Sequence, residues 1–401
     1  MTTVSGAWRR AVAGAGLLAP DGTIAQTIFA EMSALAARTD AINLGQGFPD
    51  TDGPEEVLEA ARAAISGGVN QYPPGRGFAD LRLAIAEHQQ RFYGLNPDPE
   101  TEVLVTAGAT EALASVLLGL VDGPEDEVVV FEPYYDSYAA CVALAGATLR
   151  TVPLVWPNFQ PDLDALRSAV SDRTRLILVN NPHNPTGAVF SADVLTEIVR
   201  LAHQHGAVIV TDEVYEHLTF DVPHVPVATL PGAAERTLTI SSAGKTFNTT
   251  GWKVGWVTGP AALVDAVLAV KQFLTYSGSA PFQPAIATGL RLGDDFYHGI
   301  RAAMRHQRDI LVDGLRAAGF AVSVPQGSYF TVADAAPLGF DDATVFCREL
   351  PLLAGVVAVP VTAFATEANR SQYASLVRFA ACKKPELLGE AAKRLAVLAR
   401  R

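Results

Sequence analysis

Val103-Leu104-Val105-Thr106-Ala107-Gly108-Ala109-Thr110-Glu111-Ala112-Leu113-Ala114-Ser115-Val116-Leu117-Leu118-Gly119-Leu120 changes its periodicity within a few residues. Val103–Thr106 is an apolar run of strand length. Leu113, Val116, Leu117 and Leu120 then recur at i, i+3, i+4 and i+7, the mark of one buried helix face. A short glycine-containing turn separates the two. Further strand-like runs follow at Val128–Phe131, Leu176–Asn180, Val208–Asp212 and Leu238–Ser241, with amphipathic helical stretches between several of them. Strands alternating with such helices predict an α/β fold with a mostly parallel sheet flanked by helices. Ligands of such sheets sit beyond the carboxyl ends of the strands, which is where the polar, Gly-rich motifs of this chain fall.

After about residue 295 the texture changes. A long helical stretch, Gly299–Ala318, leads into short strands at Ala321–Val324, Tyr329–Ala333, Val356–Val359 and Leu376–Ala380, and a helix at Glu386–Leu398 closes the chain. This pattern predicts a smaller α+β domain. The divisions expected are an N-terminal arm that joins the small domain (residues 1–44), a large domain (45–295) and a C-terminal small domain (296–401).

Hydrophobic residues make up 49% of the 401 and charged residues 18%, so sizeable packed cores are expected. A formal charge of -12 argues against nucleic-acid backbones and anionic membranes as partners. The three cysteines, Cys141, Cys347 and Cys382, are far apart and suit buried thiols rather than a disulfide framework. His203 and His205 lie two apart on an expected helix and point different ways, so no metal is expected. Arg9-Arg10 before Ala11–Ala19 faintly suggests a twin-arginine export signal, but the run contains two glycines and no convincing cleavage site. No segment approaches the roughly 20 apolar residues of a membrane span. A cytoplasmic protein is the expectation.

Six motifs carry chemistry. In Ser241-Ser242-Ala243-Gly244-Lys245-Thr246-Phe247, small residues leave room for a flat ligand beside an amine. The segment alone reads equally well as a surface lysine; a nucleophilic amine needs a restricted, partly desolvated place in which to deprotonate. Asp212 ends an apolar strand. A carboxylate there caps a helix or, opposite a pyridine nitrogen, keeps that nitrogen protonated and the ring an electron sink. Tyr215 follows at the right distance to bond a phenolate oxygen on the same ring. Asn180–Gly187 is a rigid turn in the uncommon form Asn-Pro-x-Asn-Pro-Thr-Gly. The helix start at Thr106–Glu111, joined by Ser242 and Lys253, is a candidate phosphate cup. Glu132-Pro133-Tyr134-Tyr135 offers a ring for stacking. Finally, Arg378 stands in an apolar strand with no acid nearby in sequence, and a buried guanidinium needs an anionic partner. A bidentate bond to a substrate α-carboxylate fits and contributes on the order of 1.5–3 kcal/mol.

With these residues in view, the chain resembles the class I aminotransferases of pyridoxal-5′-phosphate (PLP) fold type I over nearly its full length. The motifs run in matching order: Asn43–Asp50, Gln71-Tyr72, Gly108-Ala109-Thr110, Asn181–Gly187, Asp212, Ser242-x-x-Lys245 and Arg378. The resemblance implies that Lys245 holds PLP as a Schiff base and then shuttles a proton. It implies that Asp212 holds the pyridinium, that Tyr215 and Asn184 bond the ring oxygen, and that Tyr135 stacks on the ring. Ala109, Thr110, Ser242 and Lys253 would bind the phosphate, with Tyr72 reaching in from the other subunit of a homodimer. Arg378 and the Gly47 backbone would grip the substrate carboxylate.

The form Trp252-Lys253-Val254-Gly255-Trp256 is similar to the branch that holds kynurenine, glutamine and N-succinyldiaminopimelate aminotransferases. Asn43–Asp50, Gly68–Gly75 and Phe131–Tyr138 look most like the last of these, an enzyme of lysine biosynthesis. Kynurenine-type relatives carry an aromatic ring where Thr110 stands and an aromatic–histidine pair where Tyr276-Ser277 stands, which leaves more room here for a long polar side chain. The expected reaction moves an amino group between an L-amino acid such as glutamate and a 2-oxo acid or semialdehyde. A broad kynurenine/glutamine/methionine aminotransferase and a PLP-dependent C–S β-lyase are the alternatives. A PLP-binding transcriptional regulator is disfavoured, because only about forty residues precede Gly45 and they form no basic helix-turn-helix.

Overall fold

The computed structural model describes residues 5–400. A two-residue strand, β1 (Ile42–Asn43), precedes eight strands of one sheet: β2 (Val103–Thr106), β3 (Glu127–Glu132), β4 (Thr148–Val155), β5 (Gln160–Pro161), β6 (Thr174–Asn180), β7 (Val208–Asp212), β8 (Thr237–Ser242) and β9 (Gly255–Thr258). Their order is β2-β9-β8-β7-β6-β3-β4-β5. The centre, from β8 across to β4, is parallel. At one edge β9 runs antiparallel to both β2 and β8, and at the other β5 turns back on β4.

Alternation along the central strands explains why helices cover both faces. Val129 and Phe131 of β3, with Ile177 and Val179 of β6, enter one core beneath helix Ala192–His205. Val128, Val130, Leu176 and Leu178 enter the opposite core, with Leu113, Val116, Leu117 and Leu120 of helix Gly108–Leu120. Successive strand residues point to opposite faces, so a strand buried on both sides reads as a continuous apolar run. Chain order moves one way from β6 to β8 and the other way from β3 to β4. The carboxyl ends of β3, β6, β7 and β8 therefore surround a topological switch point, the usual ligand crevice of open α/β sheets.

The second sheet contains β10 (Ala321–Ser323), β11 (Phe330–Asp334), β13 (Val359–Pro360) and β14 (Leu376–Ala380), in antiparallel order β10-β11-β14-β13. The expected single run Val356–Val359 is divided: β12 (Val356–Val357) pairs in parallel with β1, while β13 joins β14. Through that pairing Met32, Ala36, Ile42 and Leu44 share a core with Leu311, Leu315, Phe346 and Leu388. The long helix spans Asp294–Ala317 and the closing one Pro385–Leu395.

Arg9 and Arg10 lie in helix Trp8–Gly14, and among the described residues no helix is long and apolar enough to cross a membrane. The three cysteines are free. His203 bonds the Gly232 carbonyl oxygen and His205 pairs with Asp172, so the two rings face different neighbours.

Candidate active site

A cavity of about 420 Å³ opens at the switch point. Gly47, Ala109, Thr110, Tyr135, Asn184, Asp212, Tyr215, Ser242, Lys245, Lys253 and Arg378 all line it. Tyr72 does not; it is 81% exposed on the surface, with its ring edge-on to Tyr276.

Lys245 sits in the single turn Ala243–Thr246 directly after β8. Its Nζ donates to Tyr329 Oη at 2.9 Å and lies 3.5 Å from the Gly47 carbonyl oxygen. Burial lowers the amine below its ordinary range, against the opposing pull of Cys382 and Asp212. A buried amine that gives up its proton more readily is a better nucleophile and base.

Asp212 is buried at the end of β7. Its Oδ2 accepts from Tyr138 Oη at 2.6 Å, while Oδ1 has only a long contact, 3.4 Å, to the Val214 N–H. Burial raises its carboxyl to about 6. One oxygen is thus fixed by a phenol and the other is free to take a proton-bearing ring nitrogen. Asn180 braces the next element: its Oδ1 accepts from the Asn184 N–H at 2.6 Å, and its Nδ2 donates to the Asp212 carbonyl oxygen at 2.8 Å. The ends of β6 and β7 are therefore tied together immediately beneath Asn184.

Arg378, on β14, is 2% exposed. Nη1 donates to Asn184 Oδ1 at 3.2 Å and Nη2 to the Gly45 carbonyl oxygen at 2.8 Å. Its guanidinium lies 4.2 Å from the Phe330 ring centroid and 4.7 Å from that of Phe364. Nε has no hydrogen-bond partner. Burial lowers the group to about 10, yet no carboxylate pairs with it directly. An unpaired buried cation of this kind is costly and suits an anionic ligand.

Helix Gly108–Leu120 begins without a side-chain cap. Gly108 has φ +75°, and a Cβ there would stand 3.1 Å from Lys253 Nζ, so the lysine ammonium lies against the helix start. First-turn N–H groups, the helix dipole and an ammonium together make an anion cup. The donor set fits PLP: an amine for its carbonyl, a buried carboxylate for its ring nitrogen and a cationic cup for its phosphate.

Tyr138, Tyr329 and the phenylalanines around Arg378 carry no role readable from the sequence, and Asn180 is legible there only as the start of the Asn180–Gly187 turn. Tyr138 carries only a faint signal, three residues beyond Tyr135 in the first turn of helix Ser137–Ala145. Tyr329 carries none, since it comes from the other sheet.

Metal-ligand types also come together away from the cavity. Among the described residues His88, Glu216 and His217 form one buried group. The two Nε2 atoms are 2.7 Å apart. Two nitrogens on one tetrahedral zinc, each bonded at about 2.0–2.1 Å, would stand roughly 3.3 Å apart. The imidazoles instead share a hydrogen bond, and burial keeps both neutral, with His88 lowered to about 3.

The family described as aminotransferase class I and II matches residues 39–395. The chain belongs to the class I and II aminotransferases. A probable N-succinyldiaminopimelate aminotransferase of Mycobacterium tuberculosis is 55% identical over 386 residues, covering 94% of this chain and 97% of the relative. The solved structure of N-succinyldiaminopimelate aminotransferase from that organism superposes with a TM-score of 0.91, covering 93% of this chain and 97% of the other at 55% identity. The Escherichia coli methionine aminotransferase is 39% identical over 370 residues, covering 92% of this aminotransferase and 95% of the relative. Mouse kynurenine–oxoglutarate transaminase 3 is 36% identical over 392 residues, covering 91% and 86% respectively.

Proposed function

We propose that this aminotransferase uses PLP to exchange an amino group between glutamate and the semialdehyde that corresponds to N-succinyl-LL-diaminopimelate, a step of lysine biosynthesis. The observation that carries the substrate is the 55% identity across 94% of the chain with a relative of that name. The pocket is consistent with it: Thr110 lines the cavity, and the resemblance, which puts a ring at this position in kynurenine-type enzymes, would leave space here for a long polar side chain. A cytoplasmic homodimer, with Tyr72 reaching the neighbouring site, belongs to the same reading.

When bound, PLP supplies a carbonyl that captures the substrate amine and a pyridinium that withdraws electrons. The chain's residues do the rest. Asp212, fixed by Tyr138, would hold the proton on the ring nitrogen. Tyr215 and Asn184 would bond the ring oxygen, and Tyr135 would cover the ring face. Ala109, Thr110, Ser242 and Lys253 would hold the phosphate. Arg378 and Gly47 would orient the substrate carboxylate, which places the Cα hydrogen for Lys245 to remove and return as general base and acid.

A half-reaction screen tests the assignment. Purified holoenzyme is mixed with N-succinyl-LL-diaminopimelate, glutamate, kynurenine, glutamine or methionine, and loss of the cofactor's visible absorbance is followed. The first two should react fastest. A rate for N-succinyl-LL-diaminopimelate no higher than for kynurenine or methionine rules out the substrate. Steady release of pyruvate and thiol from a cysteine conjugate, with no keto acid present, would point instead to a C–S β-lyase. Lys245→Ala should still bind PLP weakly but lose the lysine-bound absorbance and turnover.

A further inference from the structure

We infer that Tyr329 is a positioning residue for Lys245, holding its free amine by an acceptor-only phenol oxygen. The inference rests on Lys245 being the reacting amine. Tyr329 Oη receives the Lys245 amine at 2.9 Å and itself donates to the Gly47 carbonyl oxygen at 2.5 Å. The single phenolic proton is thereby committed to Gly47, and only lone pairs remain for the lysine.

The phenol is held from several sides. Tyr329 is 1% exposed, and its ring stands edge-on to Tyr215 with centroids 5.2 Å apart. The preceding Ser328 has φ +58°, an uncommon conformation for a side-chain-bearing residue, and its N–H donates to the Leu218 carbonyl oxygen at 2.7 Å. The Tyr329 carbonyl oxygen accepts from the Ala381 N–H at 2.7 Å. A strained, over-determined turn of this kind is expected where a side chain must be aimed. Tyr329 adjoins β11 of the small sheet, Lys245 follows β8 of the large one, and Gly47 follows β1. One oxygen therefore ties the reacting amine to the loop on the substrate-carboxylate side.

The chemistry follows from the direction of the bonds. An acceptor beside the amine favours the ammonium over the neutral amine. It also directs one N–H away from the cavity, so the remaining lone pair or proton faces the reacting carbon. Asp212, Tyr215, Cys382, Lys253 and Arg378 also face the amine, but none of them receives a hydrogen bond from it. A tyrosine needed only for packing would tolerate phenylalanine without consequence.

The test compares wild type with Tyr329→Phe in two preparations. In cofactor-free protein, acetic anhydride labels amines in their neutral form, and mass spectrometry follows Lys245 labelling against pH. The inflection should move down by about one pH unit in the variant. In the loaded enzyme kcat should fall about tenfold, with the acid limb of its pH profile displaced in the same direction and KM within about twofold. If Tyr329→Phe does not fold, Tyr329→Met removes the same oxygen and carries the same expectation. An unmoved inflection with an unmoved pH profile overturns the role. The labelling does not involve substrate, so a wild type inactive on the proposed amine would overturn the substrate assignment and leave this result standing.

Discussion

His183 stands one residue before Asn184, inside the turn that presents that side chain to the cavity. Its ring is buried, Nδ1 pairs with Thr186 Oγ1 at 2.8 Å, and its face stacks on Phe190. Burial lowers the imidazole from 6.5 to about 3. Above pH 6.5 the ring is neutral whether the chain is folded or unfolded. As pH falls from 6.5 toward 3, the unfolded chain gains a proton that the folded ring refuses, so stability declines with acid by up to about 1.4 kcal/mol per pH unit. Asp212 acts in the opposite sense. Its folded carboxyl, raised from 3.8 to about 6, keeps a proton that the unfolded chain has released, so its contribution is greatest below 3.8 and fades as pH rises through 6. The two effects overlap between about pH 4 and 6, and removing one exposes the other. His183→Gln should therefore remove the histidine's acid-side loss and leave the Asp212 contribution, so that stability rises relative to wild type as pH falls from 6 to 4, read from urea midpoints of the cofactor-free protein. Equal slopes in wild type and variant would show that the ring titrates freely.

Gly255 opens β9, and its part is played on a neighbouring element. A Cβ at Gly255 would stand 2.6 Å from the Gly108 carbonyl carbon and 2.8 Å from the Ala109 nitrogen, both backbone atoms of the helix start that forms the anion cup. Neither can yield as a flexible side chain would, so the helix start must shift. Overpacking of this sort costs about 1–3 kcal/mol. Gly255→Ala should weaken PLP retention by about tenfold on dialysis, with a smaller drop in thermal stability; unchanged retention would mean that the cup does not depend on this close approach. The same pair shows what the sequence made legible. The helix start was readable because strand, glycine and helix are contiguous, and the motif spacing places Asp212 on the last residue of a strand and Lys245 and Asn184 shortly past strand ends. The strand β9 was not: Gly255–Thr258 is four residues long, carries glycine and reads locally as part of the lysine loop. Nor was β4 read as a strand, since Thr148–Val155 is only partly buried and contains Pro153. Tyr138 and Tyr329 belong to the site through contacts 74 and 84 residues distant in sequence, which no local pattern encodes.

At the scale of the whole molecule, the chain leaves aromatic and aliphatic side chains uncovered around Tyr72. Tyr72, Phe273, Leu274 and Tyr276 are all exposed, Phe273 to 84% and Tyr72 to 81%, and the Tyr72 and Tyr276 rings meet edge to face with centroids 5.8 Å apart. Large exposed apolar groups gathered in one place usually mark an interface. A two-fold dimer closed over this surface would bury the same patch on both copies and would carry each Tyr72 toward the other copy's cavity. Subunit exchange distinguishes that arrangement from one in which Tyr72 serves its own site. In the proposed homodimer, Tyr72→Ala would impair every site of its own dimer, and Lys245→Ala would disable every site of its own. A hybrid of the two contains one cavity with an intact Lys245 and a Tyr72 supplied by the other chain. After mixing at equal amounts under conditions that allow exchange, half the dimers are hybrids, so activity should rise to about a quarter of wild type. If Tyr72 acts within its own chain, the hybrid has no intact site and the mixture stays at the mean of the two variants. Sedimentation gives the second reading: if the proposed dimer closes over this surface, Phe273→Asp should shift the protein from dimer toward monomer, and turnover should fall with it if Tyr72 serves the other copy's site.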